Sequence, residues 1–280
     1  MTTATMAQTL KVPGATIYYE VRGSGPTLLI IPGGPQDAGV FAGLAALLAD
    51  RYRVVTFDPR GNSRSRFDGA PTPLDVDEQA DDAAALIRAA GAGPAYVFGT
   101  SGGAQIGFSL AARHPELVTA LVAHEPPTML LLDDPGAAVA EEERLHQLYL
   151  DEGVDAAMAA FMGGNRLDGP EEDDMAGAPA FEMSEEEAAT FARVSGNFEY
   201  WLAHGMRPLS FYRPDVATLR RGAPRVVVAI GDASHGQPIF AMGMAAAEKL
   251  GIAPTPFPGD HFGFETHSAQ FADRVRAAFG

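Results

Sequence analysis

Along its first half the chain alternates short apolar runs with turns that carry glycine or proline and with stretches of helical period. ATIYYEV and TLLIIP read as strands, AGVFAGLAALLAD as a helix and RVVTFDP as a strand. LDVDEQADDAAALIRAAG follows as a helix with an acidic first turn, then AYVFGT as a buried strand, SGGAQIGFSLAARHPEL as a helix and VTALVAHEP as another strand. Alternating strands and helices with short connections predict a mainly parallel sheet covered by helices. Beyond Pro127 the texture changes. Met, Ala and Phe mix with acidic runs at 141–143, 171–174 and 185–187, and no β-rich segment returns before Arg225. The reading is a helical insertion over 127–219, with a mobile loop over the Gly-, Pro- and Asp-rich stretch 163–181. RVVVAIGD, PIFAMGMAAAEKLG, TPFPG and SAQFADRVRAAF then restore the strand–helix rhythm. The core is thus expected over 1–126 and 220–280.

Composition narrows what such a domain could do. At 280 residues the chain can bury a sizeable core, and 46% hydrophobic with 20% charged positions is ordinary for a globular protein. Twenty Lys and Arg stand against 36 Asp and Glu, a formal charge of −16, which disfavours nucleic acid and anionic membranes as partners. The absence of cysteine excludes disulfides, thiolate metal sites and a cysteine nucleophile. The N-terminal MTTATMAQTLKVPG has neither the basic start nor the apolar run of a signal peptide, and the expectation is a soluble cytoplasmic protein.

The strongest chemical signal is Gly99-Thr100-Ser101-Gly102-Gly103, set between the apolar strand AYVF and the helix AQIGFSLAARH. A serine on so sharp a strand-to-helix turn has a strained backbone, tolerates only small neighbours, and lifts its Oγ above the sheet edge at a helix N-terminus. A second signal is Ile31-Pro32-Gly33-Gly34-Pro35 after the strand TLLI. With these segments the chain resembles the α/β-hydrolase family over nearly its whole length. The resemblance implies an eight-stranded, mainly parallel sheet with helices on both faces and a helical cap inserted after the sixth strand, where 127–219 falls. It also implies that the amides of Gly34 and Gly102 form an oxyanion hole. Pro32-Gly33 replaces the family's usual His-Gly pair, a departure that bears on the hydrogen bonding of that loop but spares the Gly34 amide. The segment from Asp58 to Arg64 resembles the family's D-x-R-G-x-G-x-S run and is assigned a structural role.

Seven histidines could supply a base. His261, in Pro258-Gly259-Asp260-His261-Phe262-Gly263, lies between the last predicted strand and the last helix, where the family carries its catalytic histidine. His114, His146, His204 and His267 read as solvated or structural, and His235 is an outside candidate. Two carboxylates compete for the acid. Many family members place an Asp three residues after the glycine that ends the seventh strand, and here Gly231-Asp232-Ala233-Ser234 has serine at that place, with Asp232 displaced. The rival is Glu125 in Ala123-His124-Glu125-Pro126-Pro127, at the end of the sixth strand. This turn resembles the branch, including the zearalenone-hydrolysing lactonases, that carries its acid there. The preferred set is Ser101, His261 and Glu125, with Asp232 as the alternative acid.

The insertion carries Met158, Phe161, Met162, Phe191, Phe198, Tyr200, Trp201 and Met206, and its acidic runs are expected on a solvated outer face. Trp201, the only tryptophan, sits shortly before the chain returns to the sheet and is the candidate substrate contact. The expected activity is serine-dependent hydrolysis of a small apolar or aromatic carboxylic ester or lactone through an acyl-enzyme. Carbon–carbon bond hydrolysis and acyl transfer use the same residues, and a non-catalytic ligand-binding role is the rival from another class. No metal-ligand spacing or phosphate loop is present, so no cofactor is expected; a homodimer stays open.

Overall fold

The computed structural model describes residues 4–91, 93–167, 183–222 and 224–280. Among the described residues nine strands form one sheet: β1 (Met6–Val12), β2 (Ala15–Arg22), β3 (Thr27–Ile31), β4 (Arg53–Phe57), β5 (Arg66–Phe67), β6 (Ala95–Thr100), β7 (Val118–His124), β8 (Arg225–Gly231) and β9 (Thr255–Phe257). Their order is β1-β2-β4-β3-β6-β7-β8-β9, and the two-residue β5 pairs with β2 off this path. Pairing is parallel from β4 across to β9 and antiparallel for β1–β2, β2–β4 and β2–β5. The strands read as unbroken apolar runs because both faces are covered. Leu28 and Ile30 of β3 join Phe98, Val122 and Phe257 under the helices Ala42–Leu48 and Ser268–Phe279. Leu29 and Ile31 join Val97, Leu121 and Ile230 under Val76–Ala90, Gly102–Arg113 and Pro238–Leu250.

Three local expectations change. The edge strand β1 is absent from the pattern reading because only Val12 in it is buried, so no apolar alternation marks it; the Pro13-Gly14 turn and its register with β2 create it. The predicted helix AGVFAGLAALLAD shortens to Ala42–Leu48. Before it, the Ala38 N–H donates to Asp58 Oδ1 (3.0 Å) and the Gly39 N–H to Asp37 Oδ1 (2.8 Å), and these bonds hold the chain outside helical geometry. The stretch expected as a loop over 163–181 stays helical to Asn165, and 168–182, with the acidic run 171–174, lies outside the described residues.

Between β7 and β8 the described residues are helical, chiefly Gly136–Glu152, Val154–Asn165 and Glu185–Gly196, followed by Phe198–Tyr200, a π-helical turn Trp201–Gly205 and Met206–Ser210. Ser184 and Glu187 close a capping box at the start of Glu185–Gly196. Among the described residues no helix is long and apolar enough to cross a membrane, and no group of three His, Asp or Glu could hold a metal ion.

The strand–turn–helix at Ser101 depends on absent side chains. A Cβ on Gly103 would stand 2.2 Å from Ile31 O, and one on Gly99 2.4 Å from Gly103 O. By contrast a Cβ on helical Gly43 meets nothing within 4 Å. Gly103→Ala is therefore expected to lower unfolding stability by about 1–3 kcal/mol. Gly43→Ala should raise it by about 0.5–1 kcal/mol, both read from urea titrations.

Candidate active site

Parallel strands carry their C-terminal ends to one edge of the sheet, and the predicted site residues gather there. Ser101 follows β6 directly, with φ at 52°, a value rare outside glycine. Its N–H donates to His124 O at the end of β7 (2.9 Å), so the strained turn is anchored to the neighbouring strand. Gly102 begins the helix that follows. The Pro32–Gly34 segment packs against this turn so closely that a Cβ on Gly33 would stand 2.7 Å from Ser101 Cβ. A Cβ on Gly102 would lie 3.3 Å from the Gly34 nitrogen, which places the two amides side by side. Gly34 has φ at 47°, and no backbone acceptor among the described residues takes either N–H.

The loop bearing Gly34 is held from two directions. From the core, Asn62 Nδ2 donates to Gly34 O (3.2 Å) and Gln36 O (3.0 Å). Asp58, buried, binds Ala38 N and receives Arg64 Nε at 2.7 Å. From the insertion, Asn197 Nδ2 donates to Pro35 O (2.8 Å), and Arg193 pairs with the buried Asp37 at 2.7 Å. The segment from Asp58 to Arg64 thus orients the loop without facing the cavity chemistry itself.

Glu125 follows β7 with φ at 45° and is fully buried. Its N–H donates to Ala229 O (2.9 Å), its Oε1 accepts from Gly231 N (2.9 Å), and its Oε2 lies 2.7 Å from His261 Nδ1. Burial, the largest single influence, pushes this carboxyl up, but the His261 hydrogen bond together with the fields of His124 and His261 and the Ser234 hydroxyl outweighs it and holds Glu125 at about 2, below the usual 4.5. The carboxylate therefore stays ionised and selects the His261 tautomer with its proton on Nδ1, leaving Nε2 free as an acceptor. Asp232 is exposed, and its Oδ1 accepts from Gly259 N (2.9 Å) as a turn residue; no hydrogen bond joins it to His261 among the described residues. Ser234, at the position where many family members carry the acid, is buried beside Glu125.

His124 is the residue the sequence reading passed over. It is fully buried, its Nδ1 is 2.9 Å from Thr100 Oγ1, and its ring stacks 6.2 Å from that of His261. Burial drives it down to about 4, so it is neutral beneath the site. Its signal in the sequence is adjacency to Glu125 at a strand end. Of the other histidines, His114 pairs with Asp81, and His235 is exposed against Phe240.

Ser101, Gly34, Gly102, His261 and Trp201 line one cavity of about 400 Å³, otherwise walled largely by apolar side chains including Phe161, Met206 and Leu209. No hydrogen bond joins Ser101 Oγ to His261 among the described residues, though both line the same cavity. Trp201 is 6% exposed, and its Nε1 has no partner among the described residues; a Cβ on Gly34 would lie 3.4 Å from it. Phe191, expected among the apolar faces of the insertion, is 64% exposed. The acidic run at 141–143 is also not wholly on the outside, since Glu142 is buried and lines the cavity. Chemically, the arrangement presents a hydroxyl at a helix N-terminus, an imidazole oriented by an ionised acid, and two neighbouring amides at a cavity with largely apolar walls.

The family description "alpha/beta hydrolase fold" matches residues 26–163. The chain is 34% identical over 95% of its length to the Bacillus subtilis (strain 168) protein named uncharacterized hydrolase YraK, covering 93% of that protein. It is 28% identical to the zearalenone hydrolase of Bionectria ochroleuca, covering 95% of each chain. Among solved structures, the enol-lactonase of Burkholderia xenovorans LB400 superposes with a TM-score of 0.70 at 19% identity, over 97% of this chain and 99% of that one. The sheet, the serine turn after β6 and these likenesses agree, and the chain belongs to the α/β-hydrolase family.

Proposed function

We propose that this hydrolase cleaves an apolar or aromatic carboxylic ester or lactone through an acyl-enzyme on Ser101. The observation that carries the reading is the 2.7 Å pair between buried Glu125 and His261 at the cavity that also holds Ser101. His261 Nε2 takes the proton of Ser101 Oγ as the oxygen attacks the carbonyl carbon. Glu125 keeps the imidazole in the productive tautomer and stabilises the imidazolium. The amides of Gly34 and Gly102 receive the oxyanion. His261 then protonates the leaving oxygen, and water, deprotonated by the same base, releases the acid. Residues 127–219 act as the cap, with the Trp201 indole N–H offered to the bound substrate. Support for an ester or lactone comes from the apolar walls and from the relative named a zearalenone hydrolase.

Turnover of a panel of alkyl esters, aryl esters and lactones, followed by product mass, tests this reading. Ser101→Ala is expected to fold normally and lose on the order of 10⁶ in kcat; retention of most activity would overturn the assignment. Glu125→Gln should lose on the order of 10⁴, while Asp232→Asn stays within about tenfold of the parent. The reverse order would move the acid to Asp232.

The same carboxylate sets an acid-stability signature. Because Glu125 lies near 2 in the fold and near 4.5 in the open chain, the stability it contributes is present above about pH 4.5 and is lost as the pH falls towards 2. Glu125→Gln should be less stable than the parent at pH 7, and the urea midpoints of the two should converge progressively as the pH falls from about 4.5 towards 2.

A further inference from the structure

Three consecutive glutamates on the helix Gly136–Glu152 meet three different surroundings, as successive residues 100° apart must. Glu141 pairs with Arg144 and Glu143 with Arg207, both at 2.7 Å and both well exposed. Glu142, between them, is 8% exposed and shares its face with Leu145, one turn on and 3% exposed. Glu142 lines the cavity that holds Ser101 and His261, and its Oε1 has no hydrogen-bond partner among the described residues. Packing alone would favour an aliphatic side chain here, since a buried carboxyl with an unpaired oxygen costs stability.

The surroundings also say which ligand group could satisfy it. Burial pushes the Glu142 carboxyl up to about 7; the Ser210 hydroxyl and Arg207 draw it down, and Glu143 and Glu141 raise it. Near neutral pH it therefore presents an acceptor oxygen in either of its forms. Among the described lining residues there is no Lys or Arg, while Asp134 and Glu141 are acidic like Glu142, so a substrate carboxylate set beside Glu142 would meet like charge. A methyl end group would leave the oxygen unpaired. An ammonium would have to shed its water among walls such as Leu132, Leu145 and Phe161, whereas a hydroxyl is much cheaper to bury.

We propose that Glu142 is a specificity residue that accepts a hydrogen bond from a substrate hydroxyl, so that the ester or lactone taken by this cavity carries a hydroxyl group away from its scissile carbonyl. The inference rests on the ester-hydrolase reading given above, and the test keeps the two apart.

Binding is read on Ser101→Ala protein through the fluorescence of Trp201, the sole tryptophan and a lining residue of the cavity. The probes are ethyl esters of six- to eight-carbon acids ending in methyl, hydroxymethyl, aminomethyl or carboxylate. The hydroxy ester is expected to bind about tenfold tighter than its methyl partner, and the carboxylate weakest. Adding Glu142→Leu should abolish or reverse the hydroxy preference while Tm holds or rises, whereas Glu142→Gln, which keeps an acceptor oxygen, retains the preference. Equal binding of hydroxy and methyl esters, a preference that survives Glu142→Leu, tightest binding of the amino ester, or no saturable change with any ester overturns the proposal. If Glu142→Leu does not fold, loss of the preference in Glu142→Gln overturns it. Turnover of the same esters by the unmodified protein is scored separately: its absence counts against the hydrolase reading, while the fluorescence order decides the role of Glu142.

Discussion

A negative charge buried at the end of β7 organises the site. Glu125 has no solvent contact, and an ionised carboxylate there must be compensated at short range. The compensation comes from two separate pieces of chain: the Gly231 N–H at the end of β8 and His261 in the loop after β9. Satisfying one carboxylate thus ties three neighbouring strands together at their C-terminal ends and fixes the imidazole that faces the cavity. The left-handed backbone of Glu125 is part of the same arrangement, because its N–H bond to Ala229 O and its two carboxylate bonds together over-determine a conformation that costs about 1–3 kcal/mol. Removing the acid would leave a partnerless amide as well as a free imidazole.

A similar logic governs the loop of Gly34. A turn with two adjacent glycines would be loose by itself, yet its carbonyls are claimed by Asn62 and Asn197 and its Asp37 by Arg193. Asn197 also accepts from Ser63 N at 2.7 Å, so one insertion side chain bridges two core loops. Several of these groups are buried and polar, and their net contribution to stability is small beside the penalty for breaking any one of them. They serve position: the amide of Gly34 is held beside that of Gly102 by contacts from both the sheet and the insertion. Proline at position 32, where the family's usual residue is histidine, does not loosen this loop, because the holding bonds come from elsewhere.

Much of this was legible in the chain. The βα rhythm, the serine turn, the loop of Gly34 and the two rival acids are local features, each written within a handful of residues. What was not legible depends on distance. β1 is a strand because β2 lies beside it, and its exposed residues carry no apolar period to announce that. The helix expected from residue 38 starts late because Asp58, twenty residues on, takes the Ala38 amide. Glu142 reads as one more charge in an acidic run, and its burial follows only from the angle at which its helix meets the cavity. His124 sits next to Glu125 in sequence, but strand alternation turns it into the aromatic packing of Phe98, Phe257 and Phe271.

Part of the cost of this design falls at or beside the cavity. Glu142 Oε1, Trp201 Nε1, Gln105 Oε1 and His124 Nε2 are all buried without partners among the described residues. Glu142 and Trp201 line the cavity, and His124 stacks beneath His261. Gln105 spends its amide on Pro127 O and Leu209 O, both from cavity-lining residues. Each unsatisfied group costs about 1–3 kcal/mol, and a sequence shaped only for stability would have replaced several with aliphatic side chains. Glu142 and Trp201 thus set unpaired polar groups around one apolar space, where a bound molecule could supply the missing partners. Binding energy gained there comes from relieving costs already present in the fold, which favours ligands that match the polar positions over ligands that merely fill the volume.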